Sequence, residues 1–263
     1  MNLKGKRILL TGATGGLGQS LATALADKGA ILSLVGRDDA KLAHLKHVLE
    51  KQGSSAHTIT ADLSEMDAIA FVSKHARRQM GGIDILINNA GVMDFIKFED
   101  QHQGRIAQMI ETNVTIPIQF TREIIPDFIA RDEGQVVFVG SIFGSLGFPY
   151  FATYCASKFA IHGFSQSLRR ELMGTKIGVS YIAPRGIKTP MNDANTVAMW
   201  AKTGSRMDAA EVVASRIVKA LEKEQQEVFI GEPQSFFAWL NGLFPRLVTA
   251  GLKKDTRIAR EFL

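Results

Sequence analysis

Seven short apolar runs recur along the chain and limit its fold more than any other feature. They are RILLT (7–11), ILSLV (31–35), HTIT (57–60), DILIN (84–88), QVVFVG (135–140), IGVSYIA (177–183) and EVFIG (227–231). Most are rich in β-branched residues and few alternate strictly with polar ones, the pattern of strands buried on both faces. Between them apolar residues recur at helical spacing, as in Leu17, Leu21 and Leu25 and then Leu42, Leu45 and Leu49. Gly29 and Gly53 stand where those helices would end. Strand and helix alternating in this way predict an α/β fold, a doubly wound parallel sheet of about seven strands. Two regions break the rhythm: a loop from Pro184 to about Arg206, and the tail after Gly231.

Composition supports a folded chain of this kind. Of its 263 residues, 46% are hydrophobic and 22% charged, enough for a sizeable core in one α/β domain. The formal charge of +5 favours anionic partners such as phosphates, acyl carriers or a membrane surface. No Lys/Arg tract is present, which argues against nucleic acid. The single cysteine, Cys155, excludes an intrachain disulfide and a Cys-cluster metal site. The apolar stretch Ile8–Leu10 is too short for a signal peptide, and no apolar run is long enough to span a bilayer, so a cytoplasmic protein is expected.

Directly after the first run comes TGATGGLG (11–18), at a strand-to-helix junction. Gly12, Gly16 and Gly18 form Gly-x-x-x-Gly-x-Gly. Glycines permit a tight turn and close backbone approach, and a helix N-terminus presents free N–H groups to a pyrophosphate. At the end of the second run the chain reads VGRDD. Gly36 stands where an NAD enzyme places an acid for the ribose hydroxyls. Arg37 follows, a planar cation suited to a 2′-phosphate. These residues favour NADP(H) over NAD. Asp38 is of the type that caps a helix.

The segment SIFGSLGFPYFATYCASK (141–158) carries a second pattern. In a helix beginning near Ala152, Tyr154 and Lys158 are i and i+4 and share a face. A nearby ammonium lowers a phenol's pKa from about 10 towards useful acid/base range. Ser141 lies at the carboxyl end of a strand, where doubly wound folds bind ligands. Alone, Tyr154 and Lys158 read equally well as a helix-surface pair. The glycine turn and Ser141 tip the balance.

TGATGGLG, ADL (61–63), NNAG (88–91), ETN (111–113), Ser141, YCASK (154–158) and APRGIKTP (183–190) occur in order over about residues 5–231. In these motifs the chain resembles the classical short-chain dehydrogenase/reductases. The resemblance implies a Rossmann-type NADP-binding catalytic domain over 1–231. Tyr154 would be the general acid/base, and Lys158 would lower its pKa and bind the nicotinamide ribose. Ser141 would orient the substrate oxygen, and Asn113 would hold a water between Lys158 and solvent. A second reading of Asn113 is a polar residue satisfying a helix kink. By the same resemblance Gly12, Thr14, Gly15, Gly16, Leu17 and Gly18 would hold the cofactor in the glycine turn, and Arg37 would take its 2′-phosphate. Asp62 and Leu63 would meet the adenine. Asn89, Ala90 and Gly91 would pass along the adenosine ribose, and Pro184, Ile187 and Thr189 would lie at the carboxamide and phosphates. The implied reaction is reversible hydride transfer between nicotinamide C4 and a carbonyl carbon. It needs no metal, and the six histidines lack spacing such as H-E-x-x-H. A homodimer or homotetramer is implied, pairing through the helices that carry Asn113 and Tyr154.

Three features depart from or extend the pattern. Arg185 stands where the family has glycine: facing the pocket it would select an anionic or polar group, and facing solvent it would mean little. Met93, Phe95, Phe143, Phe148, Phe151, Met191, Met199 and Trp200 are expected in the pocket wall, favouring an apolar or acyl-chain-like carbonyl or alcohol substrate. An equal alternative places many of them in the core. In the tail (232–263), Phe236, Phe237, Leu240, Leu243, Phe244, Leu247 and Val248 follow helical spacing on one face, and Pro245 should kink or divide the helix. Such a segment suits packing on its own domain or a sister subunit, capping the pocket, or lying on a membrane. A 3-oxoacyl thioester reductase, a non-catalytic nucleotide sensor and a membrane-docked scaffold are the rival functions.

Overall fold

The computed structural model describes residues 1–263. Its strands are β1 (Arg7–Thr11), β2 (Ile31–Gly36), β3 (Ala56–Thr60), β4 (Ile85–Asn88), β5 (Gly134–Val139), β6 (Ile177–Pro184), β7 (Ile187–Lys188), β8 (Asp208–Ala209) and β9 (Glu227–Ile230). All seven apolar runs become strands of one sheet, ordered β3-β2-β1-β4-β5-β6-β9, with every neighbouring pair parallel. β7 and β8 form a separate two-stranded ribbon.

The helices are α1 (Gly16–Ala26), α2 (Asp39–Lys51), α3 (Ala68–Met80), α4 (Gln103–Ile110), α5 (Ile116–Arg131), α6 (Ala152–Glu171), α7 (Ala194–Thr203), α8 (Ala210–Glu222), α9 (Gln234–Leu243), α10 (Pro245–Gly251) and α11 (Lys253–Arg260). A parallel sheet must be covered on both faces, and two core clusters do this. On one face Leu17, Leu21 and Leu25 of α1, Leu42, Leu45 and Leu49 of α2, and Val213 and Ile217 of α8 pack against β1 and β2. On the other, Val72 and Ala76 of α3, Phe120, Ile124 and Phe128 of α5, and Ile161 of α6 do the same. Each buried side chain of this size contributes roughly 1.5–3 kcal/mol. Asp38 caps α2 as its residue type suggests, accepting from Lys41 N–H at 3.0 Å.

The strand order reverses between β1 and β4, so their carboxyl ends open a crevice. Two regions differ from expectation. The stretch 184–206 is more than a loop, because it holds β7 and α7. Asp193 caps α7 by accepting from Thr196 N–H at 2.7 Å, and only Met199 and Trp200 supply its large buried side chains, too few to show as periodicity. The tail divides at Pro245 as expected, but its apolar residues do not share one buried face. No helix is long and apolar enough to cross a membrane.

Candidate active site

A cavity of ≈1520 Å³ lies along the carboxyl ends of the central strands. Every expected cofactor residue lines it, as do Ser141, Tyr154 and Lys158; of the expected cofactor and catalytic residues only Asn113 does not. The fold therefore brings residues from seven separated segments to one surface.

The glycine turn is built for a ligand that approaches backbone. Gly12 has φ +64°, and a Cβ on Gly18 would lie 2.1 Å from Gly12 O, so neither position tolerates a side chain. Gly15 caps α1 without a side-chain hydrogen bond, and the first turn carries no acid. That leaves an uncapped helix N-terminus facing the cavity, which fits a pyrophosphate. Thr11 and Asn89 hold this cradle. Thr11 Oγ accepts from Asn89 N–H (3.0 Å) and Ala90 N–H (3.1 Å), and Asn89 Nδ2 donates to the Thr11 and Gly12 carbonyls at 3.1 and 3.2 Å. The Asn89 side chain thus fixes the turn from behind. The sequence marks Thr11 only as a hydroxyl residue closing an otherwise apolar strand.

At the carboxyl end of β2, Gly36 leaves no acid, and Arg37 is exposed at the cavity edge. Asp62 accepts from the Ser64 hydroxyl (2.7 Å) and Ser64 N–H (3.0 Å); those bonds, with a smaller contribution from Arg37, hold its carboxyl below the usual range.

Ser141 follows β5 and caps a short 3₁₀ turn, Ile142–Gly144, by accepting from Phe143 N–H at 3.2 Å. Its backbone is gripped by Tyr181 of β6: Ser141 N–H donates to Tyr181 Oη (3.3 Å), and Tyr181 Oη donates to Ser141 O (3.1 Å). Nothing in β6 marks Tyr181 beforehand except the glycines at 140 and 144 flanking Ser141, which make room for its ring. A Cβ on Gly144 would lie 2.1 Å from Tyr181 Oη.

Tyr154 and Lys158 share a face of α6 as predicted, with Lys158 Nζ 5.7 Å from the Tyr154 ring centroid. The expected lowering of the phenol's pKa does not occur. Burial pushes Tyr154 up to about 12, opposed by hydrogen bonding with Ser141, and burial alone brings Lys158 down to about 8. Desolvation dominates at both groups because each sits almost wholly inside the protein. Lys158 Nζ donates to Val139 O at 3.0 Å, which leaves two of its three N–H donors free.

Asn113 lies in a π-helical turn, Glu111–Thr115, between α4 and α5. Its Oδ1 accepts from Val92 N–H (2.9 Å), and its Nδ2 donates to Val92 O (2.9 Å) and Ser157 Oγ (3.0 Å). Both amide protons are therefore engaged within the protein. The side chain satisfies a helix irregularity and ties α6, beside Lys158, to the segment after Gly91.

Of the expected wall, Met93, Phe143, Phe148, Met191 and Trp200 line the cavity. Phe95, Phe151 and Met199 do not. Phe151 stacks between Phe95 (5.1 Å) and Trp200 (5.8 Å), so this part of the set is core behind the wall. The tail closes the far side: Phe237, Leu240, Leu247, Val248 and Leu252 also line the cavity. Arg185 touches the cavity without offering it a free charge, because Asp208, Glu232 and Gln234 take its guanidinium.

With this geometry the comparisons agree. The sequence pattern of the short chain dehydrogenases matches residues 6–199. An uncharacterized oxidoreductase of Bacillus subtilis, YxnA, is 31% identical over 258 residues, 96% of this chain and 72% of that protein. A fatty acyl-CoA reductase of Acinetobacter baylyi is 31% identical over 225 residues, 83% of this chain and 75% of that protein. A solved short-chain dehydrogenase/reductase of Burkholderia phymatum, in complex with NAD, has the same fold, with a TM-score of 0.85 over 94% of this chain and 96% of that one at 22% identity. The chain belongs to the short-chain dehydrogenase/reductase family, oxidoreductases that interconvert CH–OH and C=O groups with NAD(P).

Proposed function

We propose that this protein is an NADP(H)-dependent oxidoreductase interconverting a carbonyl and a secondary alcohol on an apolar, acyl-chain-like substrate. The observation that carries the reading is one cavity shared by the glycine cradle, the Ser141–Tyr154–Lys158 cluster and an apolar wall running to the tail. The turn from Gly12 to Gly18 would hold the pyrophosphate, with Asp62 and Leu63 at the adenine and Ala90 and Gly91 along the ribose. Pro184, Ile187 and Thr189 would hold the nicotinamide end. Arg37, with no acid at Gly36, supports a 2′-phosphate and so NADP(H). When bound, the cofactor supplies or accepts the hydride.

The protein's own groups handle the proton. Tyr154 stays protonated through neutral pH and so is ready to donate to a carbonyl oxygen. The Ser141 hydroxyl, held in place through Tyr181, orients that oxygen. The free donors of Lys158 suit the ribose hydroxyls. Asn113 fixes α6 against Val92 and thereby the spacing of Tyr154 and Lys158 from the cradle. The aromatic wall and the similarity to a fatty acyl-CoA reductase support a long apolar substrate, with a 3-oxoacyl thioester as the alternative. Exposed Ile129 on α5 and Phe159 on α6 support a homodimer through these helices, readable by light scattering.

The test is a titration with NADPH and NADH, followed by NADPH-coupled turnover of long-chain ketones and 3-oxoacyl thioesters. NADPH should bind at least about tenfold tighter, the worth of one charge-assisted contact. Tyr154→Phe should bind NADPH normally and lose about 10²–10⁴ in turnover. Retained turnover would remove Tyr154 from the mechanism, and a preference for NADH would overturn the cofactor reading.

A further inference from the structure

Helix α9 is mounted the wrong way round for a helix that merely covers a core. Its small and polar side faces inward: Ala238 is buried with Leu146 and Val248, and Asn241 Nδ2 donates to Ser145 O at 3.0 Å. Phe236, Trp239 and Leu243, which helical spacing places on the opposite side, remain 52%, 60% and 55% exposed. Phe244 and Leu247, at and beyond the break before Pro245, are also exposed. The rings of Phe236 and Trp239 lie 5.7 Å apart, so the surface is continuous there. Proteins that work as free monomers seldom display such a patch.

Charge says what covers it. No Asp, Glu, Lys or Arg occurs between Pro233 and Pro245. The cations begin at its edge, with Arg246, Lys253, Lys254 and Arg257 all exposed and none in an ion pair. Of the two acids after Pro233, Asp255 and Glu261, the latter is paired with Lys202. An uncharged aromatic belt holding a tryptophan, with unpaired cations beside it, is the composition of a segment lying at a lipid headgroup boundary. A second copy fits less well, because twofold pairing through this patch would set the same cations of both copies against each other.

We propose that α9 and α10 dock the protein on an anionic phospholipid surface. Phe237 and Leu247 both line the cavity and stay 44% and 61% exposed, so the cavity mouth opens within the docking face. On the reading of an acyl-chain-like substrate, docking presents that mouth to molecules dissolved in the lipid. The surface itself does not depend on the chemistry assigned to the site.

The chain carries its own reporter. Of its two tryptophans, Trp200 is 8% exposed and Trp239 is 60% exposed. The full chain is mixed with vesicles of phosphatidylcholine alone or with phosphatidylglycerol, and cosedimentation and tryptophan emission are read together. Binding to the anionic vesicles with a blue shift is expected, and Trp239→Phe should keep the binding and lose the shift. The triple change Phe236→Ser, Leu243→Ser, Phe244→Ser should weaken binding about tenfold or more, since burial of those side chains drives it. Lys253→Glu with Lys254→Glu should remove the preference for phosphatidylglycerol. NADPH affinity, measured on every variant, shows that each still folds and keeps failure here distinct from failure of the oxidoreductase reading. Absence of vesicle binding, or binding that none of these changes affects, would overturn the proposal. So would loss of a dimer in the triple variant without loss of vesicle binding, which would make a second copy the occupant.

Discussion

Arg185 and Asp208 meet through two parallel hydrogen bonds, Nε to Oδ2 at 2.9 Å and Nη2 to Oδ1 at 2.6 Å. The remaining nitrogen, Nη1, donates to Glu232 O at 2.7 Å and Gln234 Oε1 at 3.2 Å. One side chain therefore joins the end of β6, the short strand β8 and the start of the tail. The residue that departs from the family pattern is a fastener for the segment that closes the cavity, and its charge is already taken.

Removing it should loosen that closure. Arg185→Ala leaves Asp208 half-buried without its partner, at a cost of about 2–3 kcal/mol. Denaturant unfolding should show that loss, and limited trypsinolysis should cut after Arg246 or Lys253 sooner than in the wild type. Arg185→Lys should rescue little, because an ammonium cannot make the paired contact. Unchanged stability and cleavage would mean the tail is held from elsewhere.

Tyr181 is expected to act through Ser141. Tyr181→Phe keeps the ring and deprives Ser141 N–H and C=O of their shared partner, costing about 1–3 kcal/mol. Turnover should fall about tenfold as Ser141 shifts, an effect worth 1.4 kcal/mol on the barrier. NADPH affinity, set by the glycine turn, should hold. Gly144→Ala should do more, because its Cβ would also sit 2.7 Å from the Lys158 carbonyl. Equal losses of turnover and NADPH affinity would point to general damage instead of positioning.

The sheet and its motifs were legible because their causes are local. Runs of β-branched residues, helical leucines and a glycine turn each act through near neighbours. What was not legible depends on partners far along the chain. Tyr181 matters only because β6 lies beside β5, Arg185 only because Asp208 and Glu232 come to it, and wall or core stays open for Phe151 in the sequence because ring stacking decides which aromatics face the cavity. The tail's spacing predicted its helices, but spacing does not say which side faces inward; Ala238 and Asn241 do. The direction of Tyr154's pKa is hidden for a related reason, since a sequence displays the neighbouring charge and not the burial that raises it.

Arg37 gives a prediction that separates the two nicotinamide cofactors. Arg37→Ala should weaken NADPH about 10–100-fold, the worth of a charge-assisted contact to phosphate, and leave NADH nearly unchanged. Because Arg37 is exposed, wild-type NADPH affinity should fall with added salt more steeply than NADH affinity. Equal effects on both cofactors would demote it to a surface charge.

Lys158 links the site to stability with a definite sign. Its folded pKa is about 8, whereas an unfolded lysine titrates near about 10.4. Between those values the native protein has released a proton that the unfolded chain still holds, so stability should rise with pH across this window. The burial penalty is complete below pH about 8, and at 1.36 kcal/mol per unit it is on the order of a few kcal/mol. Lys158→Met removes the titrating group, although Val139 O then lacks its partner, a roughly constant offset. The stability of the variant relative to wild type should therefore be greatest at pH 6–7 and shrink as pH climbs towards about 10, before Tyr154 begins to contribute. Urea unfolding of both proteins at several pH values measures this directly. Parallel curves would mean that Lys158 keeps its proton in the folded state, and a turnover defect in Lys158→Met would then have to come from lost contacts alone. Converging curves with lost turnover would make Lys158 a residue kept at the expense of stability for what it does at the site.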